Sequence, residues 1–394
     1  MKRRSSSCHA GSMQSLISTM NFILSVFKRG LGSRPDDSPW FWLPEEMFTC
    51  IAEQVREDFE CRSLDQVVEY YTSVACSAFL SDEQKDICGA KPSPMNCAAH
   101  EGDFKALRLM SHDPGLSLDK TAILAACARG HEKCLEVLQS QCDFINQRTC
   151  DVWVRRNGVI SGDYRILPWW RTAAHYAAEN GHEGCLLMLK AAGYVNLEAE
   201  DSDGMTPLLV AAENGHEGCL MILKQAGCNL RHKDRCGNSA AHFAAGHEGV
   251  LLILKKEGLD LGEENNVGET PAHCAAMKGN EACLRFLHRA GCDVGQEDGY
   301  SRTPVIHAAK NGHEGCLKYL EQAGCDLEHR CDKYATAAHW AALNGHSSCL
   351  RILKEAGCDL DVRDGYDKTP FMYAYHHDHK DCEKICNEFQ YLIC

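Results

Sequence analysis

From residue 206 onward, apolar, small and polar residues return in the same order about every 33 residues. Each copy opens with Thr or Ser, and most continue with small residues and a Gly-His step and close with Cys and Leu at helical spacing before a glycine. The copies begin at Thr206, Ser239, Thr270, Thr303, Thr336 and Thr369. A fixed period of this length predicts a stacked solenoid, which binds along a surface rather than in a pocket.

Each copy predicts two helices and a turn. Thr206 can cap exposed amides, and a proline follows it in the first helical turn, where no amide donor is needed. After Gly215, an apolar stripe of period 3.6 predicts the second helix, and Gly227 ends that helix in a left-handed conformation. The loop that follows carries an Asp and a Gly at turn positions, as at Asp234 and Gly237.

The clearest copies read TAAHYAAENGH from Thr172, TPAHCAAMKGN from Thr270 and TAAHWAALNGH from Thr336. This register resembles the ankyrin repeat, with its T-P-L-H-x-A-A-x-x-G-H core, over residues 93–394. The resemblance implies an all-α solenoid of about eight to nine helix-turn-helix units. Degenerate first units begin at Ser93 and Thr121, and the last unit turns polar, as a terminal cap should.

Two units depart from the period. The unit at Ser239 lacks two residues before Gly246, which predicts a shortened connection between its helices and a bend in the stack. The step from Thr121 to Thr172 is 51 residues long and contains an insertion at about 147–170. We expect a projecting loop that either binds a partner or packs back on the stack. Its candidate residues are Trp153, Arg155, Arg156, Trp169 and Trp170.

Cysteines and histidines follow the repeat instead of forming a reaction centre. Counting from the opening Thr, Cys219 and its equivalents occupy position thirteen on the apolar stripe, where a reduced thiol packs as a small hydrophobe. Their spacing suits neither disulfides nor zinc, so we expect no metal and no cofactor. In the ankyrin pattern the recurring histidines are structural. The sequence contains no catalytic motif, and we therefore expect no enzyme.

Residues 1–38 form a basic segment on an otherwise acidic chain of net charge -14. An acidic body without a basic stripe does not favour nucleic acid as a partner.

Without a convincing secretory signal, the many cysteines favour a reducing cytoplasm or nucleus. Apolar residues at helical spacing between Met13 and Phe27 leave an organelle-targeting or membrane-surface helix as an alternative to a loosely docked helix. No run is long enough to span a membrane.

Residues 39–88 predict a small helical module with two amphipathic runs. It resembles the F-box, which opens with Leu-Pro and continues with an apolar helix face. The resemblance implies docking on the linker adaptor and cullin of an SCF-type ubiquitin ligase, with the chain recruiting a substrate. The charged stretch 56–62 is longer than usual, and a plain helical cap on the first repeat is the alternative. The matching docking residues are Leu43, Pro44, Met47, Ile51 and Val55.

The ankyrin resemblance implies a protein target on the turn tips and on the exposed side of the first helices. Positions there change identity between copies and include aromatic residues and arginine, which anchor interfaces. If the F-box resemblance misleads, the chain is a freestanding, monomeric scaffold or tether. The candidate binding residues are Met277, Lys278, Tyr300, Arg302, Lys310, Lys333, Trp340, Tyr366 and Lys368.

Overall fold

The computed structural model describes residues 93–111, 121–140, 154–156, 169–193 and 196–387, together with Tyr70. In these ranges eighteen α-helices follow one another as nine pairs, which confirms the solenoid of about eight to nine units. The basic segment 1–38 and, apart from Tyr70, the module 39–88 lie outside the described residues. None of the helices described has the length and the apolar character needed to cross a membrane.

The helices are numbered in chain order, so that odd numbers open a unit and even numbers close it. They are α1 Pro94–Glu101, α2 Phe104–Ser111, α3 Thr121–Arg129, α4 Glu132–Ser140, α5 Ala173–Glu179, α6 Glu183–Ala192, α7 Pro207–Glu213, α8 Glu217–Gln225, α9 Ala240–Phe243, α10 Glu248–Lys256, α11 Pro271–Lys278, α12 Glu281–Arg289, α13 Pro304–Asn311, α14 Glu314–Gln322, α15 Ala337–Leu343, α16 Ser347–Glu355, α17 Pro370–His376 and α18 Lys380–Asn387.

First helices pack on first helices, and second helices on second helices, along the whole stack. Alanines such as Ala177 and Ala211 are fully buried and allow the first helices to approach closely. Leu186, Leu220 and Leu251 are buried on the second helices, and each contributes about 2 kcal/mol relative to an exposed side chain. The core is therefore continuous between units, and no unit buries its apolar face alone.

One set of histidines ties four of the units to the turn of the next unit. His175 Nδ1 accepts the Thr172 amide at 3.1 Å, and its Nε2 donates to the Met205 carbonyl of the following unit at 2.9 Å. These bonds require the neutral ring with its proton on Nε2. The same bridge runs from His242 to Glu269, from His273 to Arg302 and from His339 to Lys368.

A second set of histidines, at the Gly-His step or its equivalent, ties seven of the units to the one before. His216 Nε2 donates at 3.0 Å to the Glu179 carbonyl, one of the groups left without a helical partner at the end of α5. Together the two sets support the expectation that these histidines are structural. The same bond joins His131 to His100, His182 to Ala128, His247 to Glu213, His313 to Met277, His346 to Lys310 and His379 to Leu343.

The shortened unit at Ser239 loses its two residues from the first helix. Helix α9 has only four residues and continues as a single 3₁₀ turn over Ala244–Gly246. Two side chains of the next unit satisfy carbonyls at this point: Lys278 Nζ donates to Phe243 at 2.8 Å, and Asn280 Nδ2 to Gly246 at 2.7 Å. The two missing residues therefore shorten mainly the last turn of the first helix, whereas the sequence predicts a shortened connection between the two helices.

The insertion contains a β-hairpin, which corrects the expectation of a loop. Strands β1 Val154–Arg156 and β2 Trp169–Arg171 pair antiparallel, with Arg155 opposite Trp170 and Arg156 opposite Trp169. Three-residue strands carry too few positions to produce a periodic signal in the sequence. Apart from this hairpin, the regular structure of the described residues is helical.

Candidate partner-binding surface

The turns between units are built on a buried or half-buried acidic or amide side chain. Asp298 Oδ1 accepts the amides of Tyr300 and Arg302, both at 2.8 Å. Because these bonds form inside the turn, they fix its backbone before any partner arrives. Asp201, Asn265 and Asp364 make the same pair of bonds in their own turns.

Backbone hydrogen bonds also join each turn to its neighbour. Gly299 donates to the Val267 carbonyl at 2.8 Å, and Gly365 to the Lys333 carbonyl at 2.8 Å. The tips therefore form one continuous edge that presents side chains from fixed positions, which lowers the entropy lost on binding. The remaining bonds of this ladder run from Arg235 to Asp203, from Asn266 to Cys236 and from Asp332 to Tyr300.

Three tyrosines project from consecutive tips in the C-terminal part of the stack. Tyr300 is 53 % exposed, and Tyr334 and Tyr366 are each 62 % exposed. Exposed aromatic side chains in a fixed row have the composition of interface anchors. We call this region the tip surface and define it as Tyr300, Arg302, Lys310, Lys333, Tyr334, Trp340, Tyr366 and Lys368.

Tyr334 is the member of the tip surface that the sequence did not predict. Its φ of 56° is left-handed, and earlier units have Gly204, Gly237 and Gly268 at this turn position. A left-handed tyrosine costs roughly 1–2 kcal/mol that glycine avoids. The signal available in the sequence is therefore a bulky residue at a turn position that is glycine in the earlier units and is occupied by Ser301 and Asp367 in the neighbouring turns.

Cations of the tip surface lie over aromatic rings. The Arg302 guanidinium is 4.5 Å from the centroid of Tyr300, Lys310 Nζ is 5.1 Å from that of Trp340, and Lys333 Nζ is 5.9 Å from that of Tyr366. Each arrangement places a positive charge against the negative face of a ring. The last two pairs join residues of adjacent units, so neighbouring units build the surface together.

Trp340 is half-buried, and its unit departs from the common turn. His307 and Tyr373 occupy the equivalent helix position and donate to the carboxylates of Asp298 and Asp364, at 3.0 and 2.6 Å. The Trp340 unit has Cys331 where the others have Asp or Asn. Within the described structure, Trp340 Nε1 is buried without a hydrogen-bond partner. This unit therefore lacks the acceptor that anchors its neighbours.

Met277 and Lys278 lie one unit before the tip surface. Met277 is half-buried, and its carbonyl accepts His313 Nε2 at 2.9 Å. Lys278 is exposed, but its ammonium group is bonded to the Phe243 carbonyl of the shortened unit. That bond gives Lys278 a structural role that the sequence did not indicate.

The hairpin of the insertion leads directly into α5 through Arg171. This buried residue ends β2 and lies beside Glu179 at 2.8 Å and Asp201 at 3.3 Å, which belong to two consecutive units. The hairpin is therefore attached to the stack at this end. Trp153 lies outside the described residues, and Arg155, Arg156, Trp169 and Trp170 are placed by their backbone in the two strands.

The cysteines at position thirteen are buried thiols without disulfide partners in the described part of the chain. Burial raises the pKa of Cys134, Cys219, Cys316 and Cys349 to about 12. The thiolate, which is the nucleophile and the metal ligand, is therefore scarce at neutral pH. These cysteines act as core residues, as their place on the apolar stripe indicates.

One cluster has the composition of a metal site: ligand atoms of Glu269, Asp298 and His307 lie within 4.8 Å of one another. Asp298 Oδ2, however, already accepts His307 Nε2 and Arg302 Nε, both at 3.0 Å. A guanidinium at that distance repels a metal cation and takes the lone pair it would need. The cluster is an ion-pair network that holds the turn.

A stack of nine helix pairs with an edge of aromatic tips defines a class of repeat protein that binds along an extended surface. A family model described as ankyrin repeats (3 copies) matches residues 150–234, 174–265, 240–331 and 323–388. The matched residues cover more than half of the chain, and the chain belongs to the ankyrin-repeat family. Ankyrin repeats are protein-interaction modules, and the predicted interaction class is therefore confirmed.

Among solved structures, the crystal structure of the human ASB11 ankyrin repeat domain is similar in fold. It has 22 % sequence identity and a TM-score of 0.49, and the match covers 55 % of this chain and 98 % of that chain. No curated protein matches the chain.

Proposed function

We propose that this chain is a non-catalytic binding protein whose tip surface holds a protein target. The observation that carries the proposal is the row of three exposed tyrosines on hydrogen-bonded, consecutive turns. A tyrosine ring supplies a large apolar area at a low entropy cost, and its hydroxyl supplies a polar contact at the rim.

Replacing the three tyrosines is expected to weaken target capture at least tenfold while the stack stays folded. The variant combines Tyr300→Ala, Tyr334→Gly and Tyr366→Ala, with glycine at 334 because the turn there is left-handed. Anchor residues contribute about 2 kcal/mol each, so the loss of three is readily measured. Target captured from cell extract on the immobilised chain is quantified, with circular dichroism as the check on folding.

The matched control removes exposed apolar side chains elsewhere. Leu187 and Leu252 are exposed on the second helices, and Leu187→Ala with Leu252→Ala should leave capture unchanged. Equal loss in both variants, or no loss in the tyrosine variant, contradicts the assignment of the tip surface.

We further propose that the chain recruits its target to an SCF-type ubiquitin ligase. The support is the F-box-like sequence of residues 39–88, with Leu43, Pro44 and Ile51 at its docking positions. In this role the chain performs no chemistry: it holds the target on the repeats while partner proteins transfer ubiquitin. The alternative is a scaffold or tether that uses the same repeats without a ligase.

Combining Leu43→Ala, Pro44→Ala and Ile51→Ala is expected to abolish recovery of linker adaptor and cullin while target capture persists. Truncating the apolar docking face removes the area that such a helix buries on a partner. Affinity purification followed by mass spectrometry measures both classes of partner. The tyrosine variant is the reciprocal control, since it should lose the target and keep the ligase subunits. Absence of ligase subunits from the wild type itself leaves the scaffold function.

A further inference from the structure

Three lysines of the tip surface come from three consecutive units and have no acidic partner. Lys310, Lys333 and Lys368 each lie over an aromatic ring, the last at 5.4 Å from the centroid of Tyr373. Among the described residues, none of the three ammonium groups forms an ion pair with a carboxylate. Their positive charges are therefore available to a bound partner.

The acids around these lysines are largely committed to other groups. The carboxylates of Asp298 and Asp364 are buried and accept hydrogen bonds inside their turns. Asp367 is paired with Arg363 at 2.6 Å. Asp332 and Glu297 are exposed acids near the tips of these units, and Glu297 lies 3.7 Å from His329. The tip surface is therefore net positive on a chain of net charge -14.

The same three positions carry acids earlier in the stack. Lys310 corresponds by register to Glu213, Lys333 to Asp203 and Lys368 to Glu269. At these positions the units that begin at Thr303, Thr336 and Thr369 carry lysines beside aromatic residues, whereas an earlier unit carries an acid at each of them. An acidic partner segment is therefore attracted to the lysines of these three units and repelled by the acids at the equivalent positions of earlier units.

We propose that the tip surface binds an extended, acidic segment of the target, with carboxylates about three residues apart and aromatic residues between them. This inference rests on the proposed function and specifies its partner. Lys333 and Lys368 lie on adjacent turns, and packed elements of adjacent units are about 8–10 Å apart. A polyproline II chain rises about 3.1 Å per residue and returns to the same face every third residue, so carboxylates three residues apart can meet these two lysines. Lys310, on the first helix of its unit, offers a further contact. Aromatic side chains between the acids fill the spaces between the tyrosines.

The probe is a fluorescein-labelled peptide with the sequence Glu-Phe-Ser repeated four times. Three comparison peptides test charge and spacing: Lys-Phe-Ser repeated four times, a peptide of the same composition with its glutamates in one block, and the unlabelled probe as competitor. Fluorescence anisotropy with the full chain is expected to give at least tenfold tighter binding of the probe than of the lysine peptide. The probe should also bind several-fold more tightly than the block peptide, and its affinity should fall at high salt.

The decisive variant combines Lys310→Glu, Lys333→Glu and Lys368→Glu, which should weaken probe binding at least tenfold. The control combines Lys255→Glu, Lys256→Glu and Lys318→Glu on exposed parts of second helices and changes the net charge equally. It should alter binding less than threefold. Equal effects of the two variants, or equal binding of the lysine peptide, overturn the inference, and equal binding of the block peptide overturns the spacing.

The tyrosine variant separates this inference from the proposed function. If it loses the cellular target while the lysine variant still binds the probe like the wild type, the tip surface is the binding site but its partner is not acidic. If the tyrosine variant keeps both the target and the probe, the proposed function itself fails.

Discussion

Lowering the pH from 7 to 5 is expected to remove about 4 kcal/mol from the free energy of unfolding, through His175 and His273. Burial lowers the pKa of each of these histidines to about 4, against an ordinary value of 6.5. Between these values the unfolded chain binds protons that the folded chain does not, so stability falls as the pH falls. A pKa difference of this size corresponds to about 2 kcal/mol per histidine at pH 5.

The hydrogen bonds explain why the folded state resists the proton. His273 Nδ1 accepts the Thr270 amide at 3.1 Å, and its Nε2 donates to the Arg302 carbonyl. A second proton on the ring would have to sit on Nδ1, where it would face the Thr270 N–H and break that hydrogen bond. Burial also lowers the pKa of His242, His307 and His339, which adds to the same trend. The carboxyl groups of Asp298 and Asp364 have a pKa below 3.8 and titrate outside this window.

Denaturation midpoints at pH 7 and pH 5, followed by circular dichroism, measure the effect. The double variant His175→Leu and His273→Leu should show a shallower decline, since Leu209 and Ile306 occupy the same helix position in other units. Replacing the exposed His376 and His377 by Leu is the control and should leave the decline unchanged. A wild type as stable at pH 5 as at pH 7, or an undiminished decline in the double variant, contradicts this explanation.

Periodic features of the fold were predictable because each is repeated. Helix bounds, the buried Cys219 column and the bridging histidines recur in nearly every unit, so the copies reinforce one another. The hairpin at Val154–Arg156 and Trp169–Arg171 occurs once and is too short to show a period. Its position in the chain was predictable, because the insertion breaks the repeat, but its conformation was not.

The tip surface was predictable in composition but not in its contacts. Variation between copies at Tyr300, Tyr366 and Trp340 pointed to the exposed side of the stack. Tyr334 was missed because its position holds only small or polar residues in the other turns, such as Gly268, Ser301 and Asp367, and the left-handed backbone is not visible in the sequence. The placement of Lys310 over Trp340 joins two units, and only the stacking geometry brings such residues together.

Removing the Asp298 carboxylate is expected to destabilise the stack by about 3 kcal/mol. Burial by itself raises the pKa of Asp298, but hydrogen bonds from the Arg302 amide, from His307 and from the Tyr300 amide outweigh it and keep the group ionised. Asp298→Cys leaves the Arg302 guanidinium, His307 Nε2 and two amides without their acceptor. Breaking a buried, hydrogen-bonded charge pair typically costs about 3–5 kcal/mol, and the partial exposure of Arg302 favours the lower value.

The chain itself supplies the matched variants for this experiment. Asn265 shows that an amide keeps both turn bonds, so Asp298→Asn should cost clearly less than Asp298→Cys. Cys331 is the natural cysteine at this position, and Cys331→Asp should stabilise the chain by about 1 kcal/mol, because a carboxylate there can accept from its own turn and from Trp340 Nε1. Guanidinium denaturation gives all three differences. If Asp298→Cys leaves the free energy of unfolding unchanged, or if Cys331→Asp lowers it, the carboxylate does not hold the turn. A general effect of altering the tips would change the free energy of unfolding in the same direction in both variants, whereas we expect opposite directions.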